Sequence, residues 1–223
     1  MRYFKRIINT GLTIGLAVVL LTGAEIARRK KLYSRENMII KIPDHMSALF
    51  IGDSRTMGLC IATDGGVDDN IGWIAEGGVK LDWYKEYAEP VAREKIGNCK
   101  KLVILLGVND LLGMEFSDGE NSDAADYAEI LEETADKYSK KGVETYFVSV
   151  LPVDSSYDDI NSDINIFNEK IEKSMNKCHY IDLYSPVTDN GFKTVDGLHF
   201  DLETSSYIFN RLMKELRRDW IKI

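Results

Sequence analysis

The chain has 223 residues, with 28 Lys and Arg against 36 Asp and Glu, a formal net charge of −8 and 44% hydrophobic residues. That balance suits one globular domain with an extension and excludes a disordered chain. Residues 1–31 hold seven basic side chains and one acid, Glu25, which leaves 21 basic and 35 acidic residues and a net of −14 for the remainder. An acidic domain lacks the basic face that phosphate contacts need, so no nucleic-acid partner is expected.

The first element is an uncharged run of 18 residues, Ile7 to Ala24, flanked by Arg2, Lys5 and Arg6 on one side and Arg28 to Lys31 on the other. Eighteen such residues reach the lower limit for spanning a bilayer and exceed the usual core of a signal peptide. Residues 1–31 are therefore expected to form an N-terminal transmembrane anchor. A cleaved export signal is the alternative, with Thr22-Gly23-Ala24 as the small-residue site. The positive-inside comparison leaves orientation open, because the second basic cluster is slightly the larger. The expected localisation is a membrane-anchored, extracytoplasmic domain, secreted if the segment is cleaved. Residues 32–46 read as a juxtamembrane linker ending near Pro43 and Asp44, and residues 47–223 as the folded domain.

From Ser47 onward, short apolar runs alternate with amphipathic ones. Strands are expected at ALFIG (48–52), NIGWIAE (70–76), KLVILLGV (101–108), VETYFVSVL (143–151) and HYIDLY (179–184). The third is nearly all apolar, as a strand buried on both faces should be. Helices are expected at 122–142, 161–177 and 202–221. The first starts in cap-type residues and ends at Lys140, Lys141 and Gly142. The second aligns Ile164, Phe167, Ile171 and Met175 at helical spacing, and the third Tyr207, Leu212, Leu216 and Trp220. This alternation predicts an α/β fold with a five-stranded parallel sheet and helices on both faces.

Ligands of such sheets bind at the carboxyl ends of the strands. The residues that follow the strands are Gly52-Asp53-Ser54-Arg55, Glu76-Gly77-Gly78, Gly107-Val108-Asn109-Asp110 and Pro152-Val153-Asp154, with NGFKTVDGLHFD after the fifth strand. That last loop carries Asp196 and His199, a carboxylate and an imidazole three residues apart, which is what a general base needs. Ser54 is the candidate nucleophile. Asn109 can offer an amide N–H, and Gly77 or Gly78 can bring a backbone N–H close to substrate, as an oxyanion hole requires. Singly, each element has a plainer reading. Ser54 alone reads as a cap on a helix beginning at Arg55, and Asn109-Asp110 and Asp196-Gly197 read as turns. Their joint order after successive strands favours chemistry.

In that order the chain resembles the SGNH hydrolases, or GDSL esterases and lipases, over residues 47–223. Gly52-Asp53-Ser54 matches the first block, Gly78 (or Gly77) the second, Gly107-Val108-Asn109-Asp110 the third, and Asp196 with His199 the last. The second block departs from the family, because IAEGG stands where an Asn usually precedes the Gly. The resemblance implies a flavodoxin-like three-layer α/β/α sandwich and a serine esterase. In it Ser54 attacks, His199 is the base and Asp196 orients it. The Ser54 and Gly78 N–H groups and the Asn109 side chain hold the oxyanion, and neither metal nor cofactor is required.

Arg55, Gly77 and Asp110 remain as possible substrate contacts. Arg55 reads as reaching an anionic substrate group or, preferentially, a surface carboxylate. The expected substrate is an acyl ester, O-acetyl above all, on envelope or extracellular glycans. A lipolytic or thioesterase activity and a silent SGNH-like binding domain are the alternatives. The tip of loop 112–122, LGMEFSDGENS, is polar and leans toward a polar substrate. Acidic groups at Asp64, Asp68 and Asp69 and at Asp154, Asp158 and Asp159 lack EF-hand spacing and read as solvated loops. Cys60, Cys99 and Cys178 form no paired motif and read as isolated buried thiols.

Overall fold

The computed structural model describes residues 38–66, 69–97, 99–112 and 122–218. The expected anchor and the tip of loop 112–122 lie outside these residues. Among the described residues no helix is long and apolar enough to cross a membrane.

The all-apolar runs become strands because both of their faces are covered. Strands β2 (Ala48–Gly52) and β4 (Lys101–Leu105) are buried at every position, and β3 (Ile71–Glu76) and β5 (Glu144–Val148) at all but one terminal residue. A three-residue β6 (His179–Ile181) completes the parallel set. The expected five strands are all present, but the sheet has six. β1 (Met38–Lys41), inside the stretch expected as linker, pairs antiparallel with β3 at the edge, Ile40 opposite Ile74. The sheet order is β1-β3-β2-β4-β5-β6. Without β1 the parallel strands, numbered by themselves, run 2-1-3-4-5. That is the flavodoxin-like order, whose topological switch point lies between β2 and β4.

Alternation along β4 shows the three layers. Leu102 and Ile104 join one core and Val103 and Leu105 the other. Helices α1 (Ser54–Ala62), α7 (Tyr184–Asn190) and α8 (Leu202–Arg218) cover the second face, through Leu59, Val187, Phe209 and Leu212. The first face carries α3 (Glu89–Lys95), α5 (Ser122–Ser139) and α6 (Asp158–Ser174), through Ala92, Leu131 and Phe167. Ahead of α3 stand the short α2 (Leu81–Trp83) and a π-helical turn, Tyr84–Ala88. A four-residue α4 (Val108–Leu111) follows β4. HYIDLY was expected to be strand to Tyr184, yet β6 ends at Ile181 and Tyr184 opens α7, whose third residue is Pro186. A proline early in a helix gives up an N–H that has no partner there.

Candidate active site

The strand register sets three loops side by side. Gly52 pairs with Ala75 on one side and Leu105 on the other. Ser54, Gly77 and Gly107 each stand two residues beyond that row, around the switch point. Gly52 has to be glycine. A Cβ there would lie 2.0 Å from Thr56 Oγ1 and 2.3 Å from the Leu105 carbonyl oxygen. The helix can therefore start directly on the strand end.

The cap of α1 is Asp53, not Ser54. The Asp53 carboxylate accepts the Arg55 N–H at 2.8 Å, and Ser54 is the first helical residue. This frees the Ser54 hydroxyl from capping. It lies 2.9 Å from His199 Nε2, and His199 Nδ1 lies 2.7 Å from Asp196 Oδ2. The other Asp196 oxygen accepts the backbone N–H groups of His199 at 2.7 Å and Leu198 at 3.1 Å. Burial pushes the Asp196 carboxyl up, but the hydrogen bonds from the His199 backbone and ring and from Leu198 outweigh it and hold it below its ordinary value. Asp196 is thus an anion fixed at both oxygens, and the imidazole is held by the tautomer-setting nitrogen.

Asn109 and Asp110 face the loop after β3. Asn109 Nδ2 donates to the Val79 carbonyl at 3.0 Å, and Asp110 Oδ1 accepts the Leu81 N–H at 3.2 Å. A primary amide carries a second N–H beyond the one directed at Val79. The second Asp110 oxygen accepts the Tyr127 hydroxyl at 2.5 Å. Burial raises the Asp110 carboxyl, against these hydrogen bonds. The two residues therefore clamp the segment that follows Gly77 and Gly78. Gly78 has φ +75°, and a Cβ there would touch nothing within 4 Å, so it turns outward at the rim. Asp110 is committed inside the protein.

Arg55 does not pair with the surface carboxylate expected of it. Its guanidinium is buried and donates to three backbone carbonyls: Leu151 at 2.7 Å, Leu198 at 3.0 Å and Pro152 at 3.1 Å. Asp53 beside it is buried as well. Desolvation pushes its carboxyl up to about 6, opposed chiefly by the Arg55 charge.

Sequence reasoning missed the brace of the His199 loop. The Asp154 carboxylate accepts the Thr194 hydroxyl at 2.5 Å, the Asp154 N–H donates to the Gly197 carbonyl at 3.1 Å, and Thr194 Oγ1 accepts the Gly197 N–H at 3.0 Å. Its one signal was the position of Asp154 at a strand end, where it read as a solvated acid. The three cysteines are buried and unpaired, and burial pushes Cys60 to about 11 and Cys178 to about 12. Among the described residues, no cluster of three His, Cys, Asp or Glu side chains is placed to hold a metal ion.

A cavity of about 20 Å³ adjoins the start of α1, lined by Asp53, Arg55, Leu59, Leu105, Val108 and Phe200 among others. It has room for a water-sized group. A larger hollow of about 640 Å³ runs along β6 and does not include Ser54, Asp196 or His199.

The family model described as "Protein of unknown function (DUF459)" matches residues 78–196. That span takes in Gly78, Asn109 and Asp196 and leaves Ser54 and His199 outside. No curated protein matches the chain. Solved structures do. A candidate platelet activating factor from Streptococcus pneumonia is 19% identical with TM-score 0.58, over 91% of this chain and 99% of that one. The acetyl xylan esterase AlAXEase is 21% identical with TM-score 0.57, over 75% and 98%. A candidate SGNH hydrolase from Slackia heliotrinireducens is 14% identical with TM-score 0.55, over 76% and 100%. At such identities the likeness is one of fold, and the fold is the one the motif order pointed to.

Proposed function

We propose that this chain, which belongs to the family described as "Protein of unknown function (DUF459)", is a serine esterase that removes short acyl groups, acetyl above all, from envelope or extracellular glycans. The observation that carries the reading is the unbroken hydrogen-bonded chain Ser54–His199–Asp196, with distances of 2.9 and 2.7 Å. Nucleophile, base and orienting carboxylate are recognised by such geometry.

The geometry supports a two-stage reaction. Ser54 Oγ attacks the ester carbonyl carbon while its proton passes to His199 Nε2. Asp196 holds Nδ1–H and stabilises the imidazolium. Negative charge on the carbonyl oxygen is met by the Ser54 N–H at the start of α1, an N–H of the Gly77-Gly78 turn and the Asn109 amide. His199 returns the proton to the leaving alcohol. Water then attacks the acyl-enzyme with His199 again as base, and Ser54 is restored.

The acetyl and glycan parts of the reading both draw on the fold shared with a protein described as an acetyl xylan esterase. The tether of residues 1–31 would keep such an enzyme at the envelope.

A fluorophosphonate probe tests the mechanism. It should label the wild-type protein at Ser54 and leave a folded Ser54→Ala variant unlabelled. An unlabelled, folded wild type would sink the reading. A series of p-nitrophenyl esters tests the acyl group, with kcat/KM expected to peak at acetate. A peak at long chains would transfer the protein to the lipolytic alternative.

A further inference from the structure

Arg55 is a buried cation that takes no part in the reaction as written, although it follows the nucleophile directly in sequence. The triad joins segments 145 residues apart, and only Ser54 and Arg55 bind α1 to the His199 loop by hydrogen bonds among the described residues. The Arg55 bond to the Leu198 carbonyl runs beside the Ser54–His199 bond, one residue along in each segment. The guanidinium also lies 4.8 Å from the centroid of the Phe200 ring. Arg55 thus touches both sequence neighbours of His199, a carbonyl before it and a ring after it. Its other two hydrogen bonds reach Leu151 and Pro152, beyond the end of β5. Between α7 and α8 the chain has no helix or strand of its own, only a single bridge between Thr194 and Phe200. Asp154 braces the same loop from the side of β5, and these contacts from Arg55 tie it directly to the start of α1.

We infer that Arg55 is a positioning residue, which sets the distance and angle between Ser54 Oγ and His199 Nε2 by tying the start of α1 to Leu198, Phe200 and the end of β5. The inference rests on the serine-esterase reading. A planar guanidinium suits the task, since it can reach three divergent carbonyls and stack on a ring at once, whereas an ammonium is a point donor. A spacer that acts through the triad should alter turnover and leave substrate affinity alone.

The experiment compares wild type, Arg55→Lys and Arg55→Met for the rate of fluorophosphonate labelling and for kcat and KM on p-nitrophenyl acetate, with folding followed by circular dichroism. Misplacing a reacting pair by an ångström costs about a hundredfold, so we expect labelling and kcat to fall about 100-fold in Arg55→Met and about 10-fold in Arg55→Lys, with KM within about twofold of wild type. If wild type itself is not labelled, the esterase reading fails, and that result is separate from the Arg55 variants. If wild type is labelled and folded Arg55→Lys reacts at the wild-type rate, the inference is overturned, because a lysine cannot reproduce the fork. Should Arg55→Met fail to fold, Arg55→Lys alone decides. A rise in KM with kcat unchanged would overturn it too, and make Arg55 a determinant of substrate binding.

Discussion

The two ends of the sheet each hold a cluster of charged and polar side chains, and they are built to opposite ends. At the amino end, Lys101 opens β4, Glu144 opens β5 and His179 opens β6. Lys101 Nζ is buried and donates to Glu144 at 2.9 Å and to the Tyr146 hydroxyl at 2.7 Å, and that hydroxyl lies 2.9 Å from Glu144. Burial pushes Glu144 up, yet the Lys101 and Tyr146 hydrogen bonds outweigh it and leave its carboxyl below the ordinary value. His179 packs against Tyr146 with ring centroids 4.9 Å apart and planes tilted by 30°. Lys101, Glu144 and the Tyr146 hydroxyl close on one another, while Glu144 and His179 also face solvent. At the carboxyl end the chain of hydrogen bonds is open. It finishes on a serine hydroxyl that lies at the switch point, beside a loop with a glycine turned outward. A closed network holds strands together, whereas an open one can hand a proton on. The same residue types at strand ends serve different purposes according to where the last hydrogen bond leads.

The largest effect that would break this comparison is at Asp196. In Asp196→Asn the amide can donate to His199 Nδ1 and favour the tautomer with a proton already on Nε2, facing Ser54. We expect kcat to fall by about 10⁴ with little change in thermal stability. A fall of less than tenfold in steady-state assays would remove Asp196 from its orienting role.

The amino end should answer in the other currency, stability. Glu144→Ala strands the buried Lys101 ammonium with the Tyr146 hydroxyl as its one remaining partner among those described. Breaking a fully buried pair costs about 3–5 kcal/mol, and because the Glu144 side chain is 47% exposed the loss should fall at the low end of that range. The loss should appear in urea unfolding, with kcat/KM unchanged. Adding Lys101→Met should recover most of it, since an uncharged chain of similar size needs no partner. A Glu144→Ala variant that loses activity in proportion to wild type at equal folding would join the two ends functionally and end the distinction.

How far the sequence carried the structure depends on whether a feature was local. The parallel strands are short, largely apolar runs closed by Gly or polar residues, and β2 to β6 stand where those runs lie. β1 was missed because Met38-Ile39-Ile40-Lys41 is short and only half-buried at the edge, and it becomes a strand only by pairing with β3. The helical stretch from Leu81 was missed because Pro90 interrupts its pattern. The chain absorbs the proline by a π-helical turn at Tyr84–Ala88 followed by an α stretch with Pro90 in its first turn. At the site, Ser54, Asn109, Asp196 and His199 were legible because their spacing follows strand ends. The bonds of Arg55, Asp110 and Asp154 were not, because each reaches a backbone group or hydroxyl supplied by a distant segment. Backbone carbonyls leave no trace in residue identity.

The smallest predicted effect sharpens the contrast within the carboxyl end itself. Asp53 is buried, and desolvation holds its carboxyl at about 6 in the folded protein against 3.8 as its ordinary value. Between those two pH values the folded state carries a proton that the unfolded chain has lost. The stability this contributes is fully present below about pH 4 and disappears as pH rises through 6, a change of up to ~3 kcal/mol. Asp53→Asn keeps an acceptor for the Arg55 N–H, so the α1 cap survives, but it cannot ionise. Melting temperatures of wild type and variant should therefore diverge in the variant's favour between pH 4 and pH 7. Parallel curves would mean that Asp53 is solvated as a carboxylate. Arg55 provides the largest opposing charge, so the divergence should widen in the Arg55→Met background, where only the backbone N–H groups of residues 55 and 56 and the His199 side chain still offset the burial of an ionised Asp53.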